Sequence, residues 1–344
     1  MTGPSRRRAL AVAVFAVGVA TALALYADAS RLGATLGAFA WSAFAGALVL
    51  STLNYAIRFV RWQLYLRWLG VGVPVLSSLR IFVGGFLLSV TPGKVGEVYK
   101  SVLLQREYGI PVARTAPIVV AERLTDLLAL VALAAVGTLT FEQGMPVLVL
   151  GGALVAAVLV LASSERLAER AITLSERIPG VRRISSSLRE AHGSLRSLLR
   201  PGRLVVPTAL GVVAWWAECL GLWLIVRGFA DVRIDLPAAT FAYSVSTLAG
   251  ALAMAPGGLG VTELGLAGLV ESLATGATRA SAVGATLLVR LATLWFAVGL
   301  GALAALLSRG AARGVARGAA RRAAGGVPQA ERTATTNAPA ADAR

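Results

Sequence analysis

Acidic and basic residues within long apolar stretches are the residues of this sequence with the greatest capacity for chemistry. They are Glu97, Glu122, Arg123, Asp126, Glu218, Glu263 and Arg290. A charge at membrane depth is costly, and it is retained mainly where a bundle interior or a polar cavity needs it. We expect the carboxylates to balance or relay the charge of guanidinium groups around such a cavity. The alternative for a single pair, for example Glu122 with Arg290, is internal neutralisation that holds a helix bundle together.

Two proline–glycine clusters interrupt apolar runs, and each is followed by a glutamate. The clusters are Pro92, Gly93 and Gly96 before Glu97, and Pro256, Gly257, Gly258 and Gly260 before Glu263. Proline removes a backbone donor and glycine adapts to the break, so unpaired backbone groups arise at depth. Such groups are tolerable only where they face protein or a water-filled cavity, and a helix that begins there presents its positive end to an anion. The alternative is that both clusters merely end ordinary helices at the surface.

The surroundings of the two clusters are similar, which predicts an internal repeat. Arg123 follows Pro92 at nearly the same spacing at which Arg290 follows Pro256. Each unit has an apolar span, a broken hairpin and a second span with a buried arginine. In the topology given below, the two units enter the membrane from opposite sides and form an inverted repeat. Inverted repeats with broken helices are a sequence indicator of a transport site.

The basic residues near the first break fit the binding of a phosphate. Lys94 and Lys100 are the lysines of a chain that otherwise uses arginine, and both flank this break. A lysine ammonium binds phosphate as a compact point charge. We therefore expect both lysines, with Arg123 and Arg290, to neutralise a phosphate in the cavity. Glu122 and Asp126 are four residues apart and share a helix face.

Composition identifies the chain as an all-α, polytopic membrane protein. Of its 344 residues 57% are hydrophobic and 15% are charged, whereas soluble proteins average about 25% charged residues. The net charge of +16 alone suggests nucleic acid, but the apolar runs exclude that class of ligand. Since a span needs about 20 apolar residues, the predicted spans are 9–26, 37–57, 116–140, 146–163, 204–226 and 280–307. The runs 75–91 and 237–255 end in the two breaks and are interpreted as re-entrant, which makes eight membrane segments.

The distribution of arginines predicts the orientation in the cytoplasmic membrane. Arg6–Arg8 precede the first span, so the N-terminus is expected on the cytoplasmic side. The basic regions 58–80, 164–203 and 308–344 then lie on that side, together with the C-terminus. Arg58 and Arg61 are placed at the inner mouth of the cavity. The first span resembles a cleavable signal peptide, but its length favours an uncleaved anchor.

The predicted organisation is a membrane domain, 1–307, followed by a disordered basic tail, 308–344. The connection 164–203 forms either amphipathic helices on the anionic leaflet or a solvated loop helix. One histidine and one cysteine argue against a metal site, a histidine-based catalytic triad and a disulfide framework. No nucleotide-binding loop is recognisable, and no cofactor is expected.

Four segments in order resemble the lysylphosphatidylglycerol synthase transmembrane family, also called the flippase-like domain family. They are Arg58–Trp62, Thr91–Glu97, Ala121–Asp126 and Ala255–Glu263, and the resemblance covers about 10–307. In full-length synthases of this family a soluble transferase domain follows the membrane region. These 344 residues contain no such domain, so the resemblance implies only the flippase-like part. Some relatives resemble components of polyprenyl-linked glycan pathways, which leaves the lipid open.

Three functions are compatible with these features. The first is a translocase that moves a phospholipid or a polyprenyl-linked lipid with an anionic head group across the membrane. Without an ATP-binding motif, its driving force must be a gradient, the membrane potential or a lipid sink. The second is a membrane-embedded transferase with a buried carboxylate as general base. The third is an accessory scaffold for a separately encoded transferase.

Overall fold

The structure is a computed structural model that describes residues 18, 22, 29–91, 96–138, 145–163 and 185–307. Most of the predicted first span and of the connection 164–203 lies outside the described residues. The tail after residue 307 and the predicted site residues Pro92, Gly93 and Lys94 lie outside them too. The chain divides into two compact units, Met1–Ala302 and Leu303–Arg344.

The described residues are folded almost entirely as helices, with an isolated antiparallel bridge between Arg233 and Thr275. In chain order the helices are α1 Ala29–Gly37, α2 Trp41–Trp68, α3 Val75–Gly85, α4 Tyr99–Tyr108, α5 Val112–Thr115, α6 Pro117–Thr138, α7 Met145–Ser163, α8 Ser185–Leu198, α9 Pro201–Arg227, α10 Leu236–Leu252, α11 Val261–Leu273 and α12 Arg279–Leu307. Short 3₁₀ turns follow α3 at Phe86–Leu88 and precede α11 at Pro256–Gly258. The expectation of an all-α membrane protein is confirmed.

Three described helices, α2, α9 and α12, are long and apolar enough to cross a membrane. With 28 residues, α2 is about 42 Å long, which exceeds the roughly 30 Å of a bilayer core. Helix α6 has 22 residues, but its apolar sequence is interrupted by three charged residues, Glu122, Arg123 and Asp126. Helix α10 and the helix at Val75–Leu88 are shorter apolar helices. The count of eight membrane segments stays a prediction.

Helix α2 continues beyond the end of the predicted span and includes two arginines of the predicted site, Arg58 and Arg61. The sequence prediction ends this span at residue 57 and places Arg58 and Arg61 beyond it, whereas the helix continues to Trp68. Arg61 is fully buried, and Asp126 on α6 accepts a hydrogen bond from it at 2.6 Å. Because Asp126 neutralises Arg61 inside the protein, the helix can continue through this buried arginine.

Helix α9 lies at the centre of the bundle, where it packs against α2, α6, α10 and α12. Its contact face is built from small and branched apolar residues, including Ala217, Leu222 and Ile225. Small residues let neighbouring helices approach closely, which is how membrane helices gain packing energy. A second apolar cluster surrounds Trp62 and Phe82 at the α2–α3 contact.

Candidate functional site

A cavity of about 220 Å³ lies between the two break regions. Its polar lining comprises Asn54, Tyr55, Arg58, Ser89, Glu97, Arg123, Asp126, Glu218, Tyr243, Thr247, Thr262, Arg290 and Thr293. Its apolar lining includes Phe86, Leu127, Leu130, Leu154, Trp215, Met254 and Leu294. Leu154 and Met254 are also exposed at the surface of the bundle. The cavity is therefore amphiphilic, and its apolar wall reaches the outside of the protein.

Helix α2 brings a polar stripe to this cavity. Ser51, Asn54, Arg58 and Arg61 follow one another at intervals of three and four residues, so they lie on one face of the helix. Asn54 Nδ2 donates to the carbonyl oxygen of Ala214 on α9 at 2.8 Å. Ser51, Asn54 and Arg61 are buried. The stripe thus faces the bundle interior, which is where a buried polar group finds its partners.

Three arginine side chains surround the carboxylate of Asp126 on α6. Arg61 donates to its Oδ1 at 2.6 Å, while Arg123 and Arg58 lie 3.4 and 3.7 Å from Oδ2. Arg58 and Arg123 line the cavity, and their Nε atoms are buried with no hydrogen-bond acceptor among the described residues. Both guanidinium groups therefore have a donor that no described residue satisfies.

The first break is joined to α6 by Glu97 and Arg123. Arg123 Nη2 donates to the two carboxylate oxygens of Glu97 at 2.9 and 3.2 Å. Across the break, the N–H of Gly96 donates to Thr91 Oγ1 at 2.7 Å. Side chains thus replace some of the backbone bonds that the interruption of the helix removes.

The second break is closed by Glu263 and Arg290. Glu263 Oε2 accepts from the N–H of Gly260 at 2.6 Å, and its Oε1 accepts from Arg290 Nε at 2.6 Å. Arg290 Nη2 donates to the carbonyl oxygen of Gly257, also at 2.6 Å. Gly257, Gly258 and Gly260 have φ of 62°, 74° and 86°, a region in which glycine alone is unstrained.

This arrangement changes the expected role of the helix that follows the second break. The sequence predicts that its positive end faces an anionic ligand. In the structure the N-terminus of α11 already has an anion of the protein itself, the carboxylate of Glu263. A glutamate in the first turn stabilises the helix dipole, so Arg290 rather than the helix end is the cationic group that this break presents to the cavity.

Lys100 lies away from the cavity, in an aromatic box. Its Nζ donates to Glu122 at 2.7 Å and lies 4.5 Å from the ring centre of Trp62 and 5.4 Å from that of Phe82. Neither Lys100 nor Glu122 lines the cavity. The example pair of Glu122 with Arg290 is wrong, because Glu122 faces α4 while Arg290 faces Glu263. The alternative that it illustrated, neutralisation of buried charges within the bundle, describes both of these pairs.

Glu218 differs from the other acidic residues of the site. It is buried at 3% exposure on α9 and lines the cavity. Its Oε2 accepts from Ser51 Oγ at 3.4 Å and from the Tyr243 hydroxyl at 3.5 Å. It forms no ion pair with any residue that the structure describes, in contrast to Glu97, Asp126 and Glu263.

The structure therefore separates the predicted site residues into two groups. Those that line the cavity are Arg58, Glu97, Arg123, Asp126, Glu218, Gly257, Gly258 and Arg290. Those that lie behind it or beside it are Arg61, Gly96, Lys100, Glu122, Pro256, Gly260 and Glu263. Among the described residues no three histidine, cysteine or acidic side chains converge in the way a metal ion requires.

The sequence reasoning missed several uncharged polar residues of the cavity. Tyr55 donates its hydroxyl to the carbonyl oxygen of Thr293 at 2.5 Å. Thr293 lies in a π-helical turn, Leu291–Trp295, which begins directly after Arg290. π turns change the backbone hydrogen-bond pattern and are frequent at functional sites. The helical spacing of polar residues along α2 was the signal that could have indicated this wall.

Comparison with known proteins gives the family. The model of the lysylphosphatidylglycerol synthase transmembrane region matches residues 9–301. A UPF0104 membrane protein of Pyrococcus horikoshii is 25% identical over 293 residues, which cover 76% of this chain and 86% of the relative. A UPF0104 membrane protein of Methanothermobacter thermautotrophicus is 25% identical over 306 residues, which cover 82% and 88%. The predicted resemblance is confirmed: this chain is a membrane protein of the lysylphosphatidylglycerol synthase transmembrane-region family.

Proposed function

We propose that this protein is a translocase for a phospholipid or a polyprenyl-linked lipid with an anionic, phosphate-bearing head group. The observation that carries the proposal is the pair of cavity-lining arginines, Arg58 and Arg123, whose Nε donors have no acceptor among the described residues. Guanidinium groups bind phosphate oxygens through directed, charge-assisted hydrogen bonds. A phosphate that enters between α2 and α6 lies beside both guanidinium groups.

The amphiphilic cavity suits a lipid better than a soluble anion. Its apolar wall includes Leu154 and Met254, which are also exposed at the surface of the bundle. An alkyl chain can stay in the bilayer at such a wall while the head group occupies the charged part. The lipid then needs no passage of its chains through the protein interior.

The two breaks support a two-fold transport architecture. In each break a glutamate pairs with an arginine further along the chain, 26 residues later in the first and 27 residues later in the second. We infer an inverted repeat in which the two units move relative to each other around the cavity. The protein resides in the cytoplasmic membrane in this proposal, with both termini on the cytoplasmic side, and membrane lipids are its partners. Co-purification of a separately encoded transferase would instead support the accessory role.

The proposal is tested with the full chain in phosphatidylcholine vesicles that contain a trace of acyl-labelled fluorescent phosphatidylglycerol. Dithionite removes the fluorescence of the outer leaflet, so the slow phase of the decay reports translocation. A parallel arm uses a polyprenyl phosphate and a soluble phosphatase as the reporter of the outer leaflet. We expect faster translocation than in empty vesicles in at least one arm, and no acceleration in either arm would contradict the proposal.

The matched variants are R58A and R106A. Arg58 lines the cavity, and its removal eliminates charge-assisted bonds worth about 1.5–3 kcal/mol each, so translocation slows by about tenfold or more. Arg106 is exposed on α4 outside the cavity, and R106A should retain the wild-type rate. Equal slowing in both variants would show that total charge, and not the cavity, determines the rate.

A further inference from the structure

We propose that Glu218 is the proton-binding group that couples this protein to a transmembrane proton gradient. Its carboxylate takes up one proton as the anionic head group binds and releases that proton on the opposite side together with the head group. The coupling presupposes the translocation proposed above and names its driving force. The same leaflet-distribution experiment can fail for the coupling while it succeeds for translocation.

The surroundings of Glu218 favour exchange of a proton over a permanent ion pair. A buried carboxylate is ordinarily stabilised by a cation, because the unpaired charge is expensive at low dielectric. The described partners of Glu218 are two neutral hydroxyl groups, those of Ser51 and Tyr243. Their distances of 3.4 and 3.5 Å exceed the roughly 2.5–2.7 Å of a hydrogen bond from a hydroxyl to a full carboxylate charge.

The titratable and charged groups around Glu218 come from four helices. Helix α2 contributes Tyr55 and Arg58, and α12 contributes Arg290, while Cys219 is its neighbour on α9 and Tyr243 lies on α10. Arg290 is already bonded to Glu263, and Arg58 lies nearest to Asp126. The two cations that face Glu218 are thus engaged by other carboxylates.

Helix α6 contributes Asp126 to the cavity wall. This carboxylate forms ion pairs with Arg61 and Arg123, so it does not compete with Glu218 for a proton. The other acidic residues that line the cavity, Glu97 and Asp126, thus form ion pairs with arginines. Glu218 is the carboxylate on this wall that can change its charge without breaking an ion pair of the described structure.

The two binding events favour each other through charge. A phosphodiester head group brings one negative charge to Arg58 and Arg123, which line the same cavity as Glu218. A proton on Glu218 removes the negative charge that repels this phosphate, so each ligand raises the affinity for the other by the same factor. One phosphate and one proton together add no net charge, and their joint movement is electroneutral. The pH gradient therefore drives the lipid, and the membrane potential does not.

The test measures how labelled phosphatidylglycerol distributes between leaflets of the reconstituted full chain under an imposed pH gradient. For one proton per lipid, a gradient of one pH unit shifts the distribution by about tenfold, with accumulation in the leaflet away from the acidic side. A potassium–valinomycin potential at equal pH should leave the distribution unchanged. Accumulation on the acidic side, or a response to potential alone, would overturn the coupling.

The variants E218Q and E271Q form the matched pair. The amide side chain introduced by E218Q keeps the size of a protonated carboxyl group but binds no proton. This variant should therefore lose the pH-driven accumulation, and folded E218Q protein that still accumulates lipid away from the acidic side would contradict the coupling. Glu271 lies on α11 at the protein surface, beside Arg279, and E271Q should accumulate lipid as the wild type does. If wild-type protein translocates lipid with no response to the gradient, the coupling is wrong and the translocase proposal stands.

A second measurement detects the proton without any lipid transport. The infrared carbonyl stretch of a protonated carboxyl group should appear in wild-type protein as the pH is lowered, at a frequency typical of a dry site, and should be missing in E218Q. A sodium gradient at equal pH serves as the ion control in the transport assay. Accumulation driven by sodium, or a protonation band that persists in E218Q, would show that another group or another cation performs the coupling.

Discussion

The guanidinium of Arg290 lies 2.6 Å from the carboxylate of Glu263 and holds both sides of the second helix break. Its Nη2 donates to the carbonyl oxygen of Gly257 within the break, and Glu263 accepts from the N–H of Gly260 at the start of the next helix. The charged pair thus supplies hydrogen bonds that the interrupted backbone cannot make for itself. The arginine is at the same time a structural clamp and a cationic wall of the cavity.

Removal of the arginine should destabilise the protein strongly. R290A leaves the carboxylate of Glu263 and the carbonyl of Gly257 without this donor, and breaking a buried ion pair costs about 3–5 kcal/mol. We expect the free energy of unfolding in detergent to fall by that amount. E271Q removes the exposed pair of Glu271 with Arg279 and should cost at most about 1 kcal/mol. Similar losses in both variants would mean that Arg290 is not a clamp.

Lys100 should be needed for stability and not for lipid movement. K100M leaves Glu122 buried without a cation and should lower the free energy of unfolding by about 3–5 kcal/mol. In K100M/E122L both charges are replaced by apolar side chains, which is often neutral for stability, so stability should recover. Thermal unfolding measures the first effect and the vesicle assay the second. A stable double variant that has lost translocation would show that Lys100 contributes to binding of the head group.

Gly257 should resist substitution because Val90, which precedes the first break, lies against it. A Cβ on Gly257 would lie 2.9 Å from Val90 Cγ1, and φ is +62°. The left-handed conformation alone costs about 1–2 kcal/mol for a residue other than glycine, so G257A should lower the free energy of unfolding by at least that much. Gly268 in α11 has open space around it, and G268A should be neutral or stabilise by up to about 1 kcal/mol. The reverse ranking in denaturation experiments would contradict the close packing of Val90 on Gly257.

Much of the helical architecture was predictable because local composition dictates it. Apolar runs of span length become helices wherever the backbone cannot bond to water, and the runs 116–140, 146–163, 204–226 and 280–307 coincide with α6, α7, α9 and α12. The proline and glycines of the second break were also visible, since a 3₁₀ turn with positive φ follows from those residues locally. The end of α2 was not predictable from the sequence, because the partner of Arg61, Asp126, lies on a different helix.

The membrane character, the all-helical class, the family and the position of the second break were determined by the sequence itself. Each depends on composition, residue order or a short segment. Which carboxylate pairs with which cation was decided only by the tertiary structure. Lys100 binds Glu122 behind the cavity, and Arg290 binds Glu263. Glu218 meets two hydroxyl groups from other helices. Those partners lie far apart in the chain, and the packing of helix faces alone brings them within hydrogen-bonding distance.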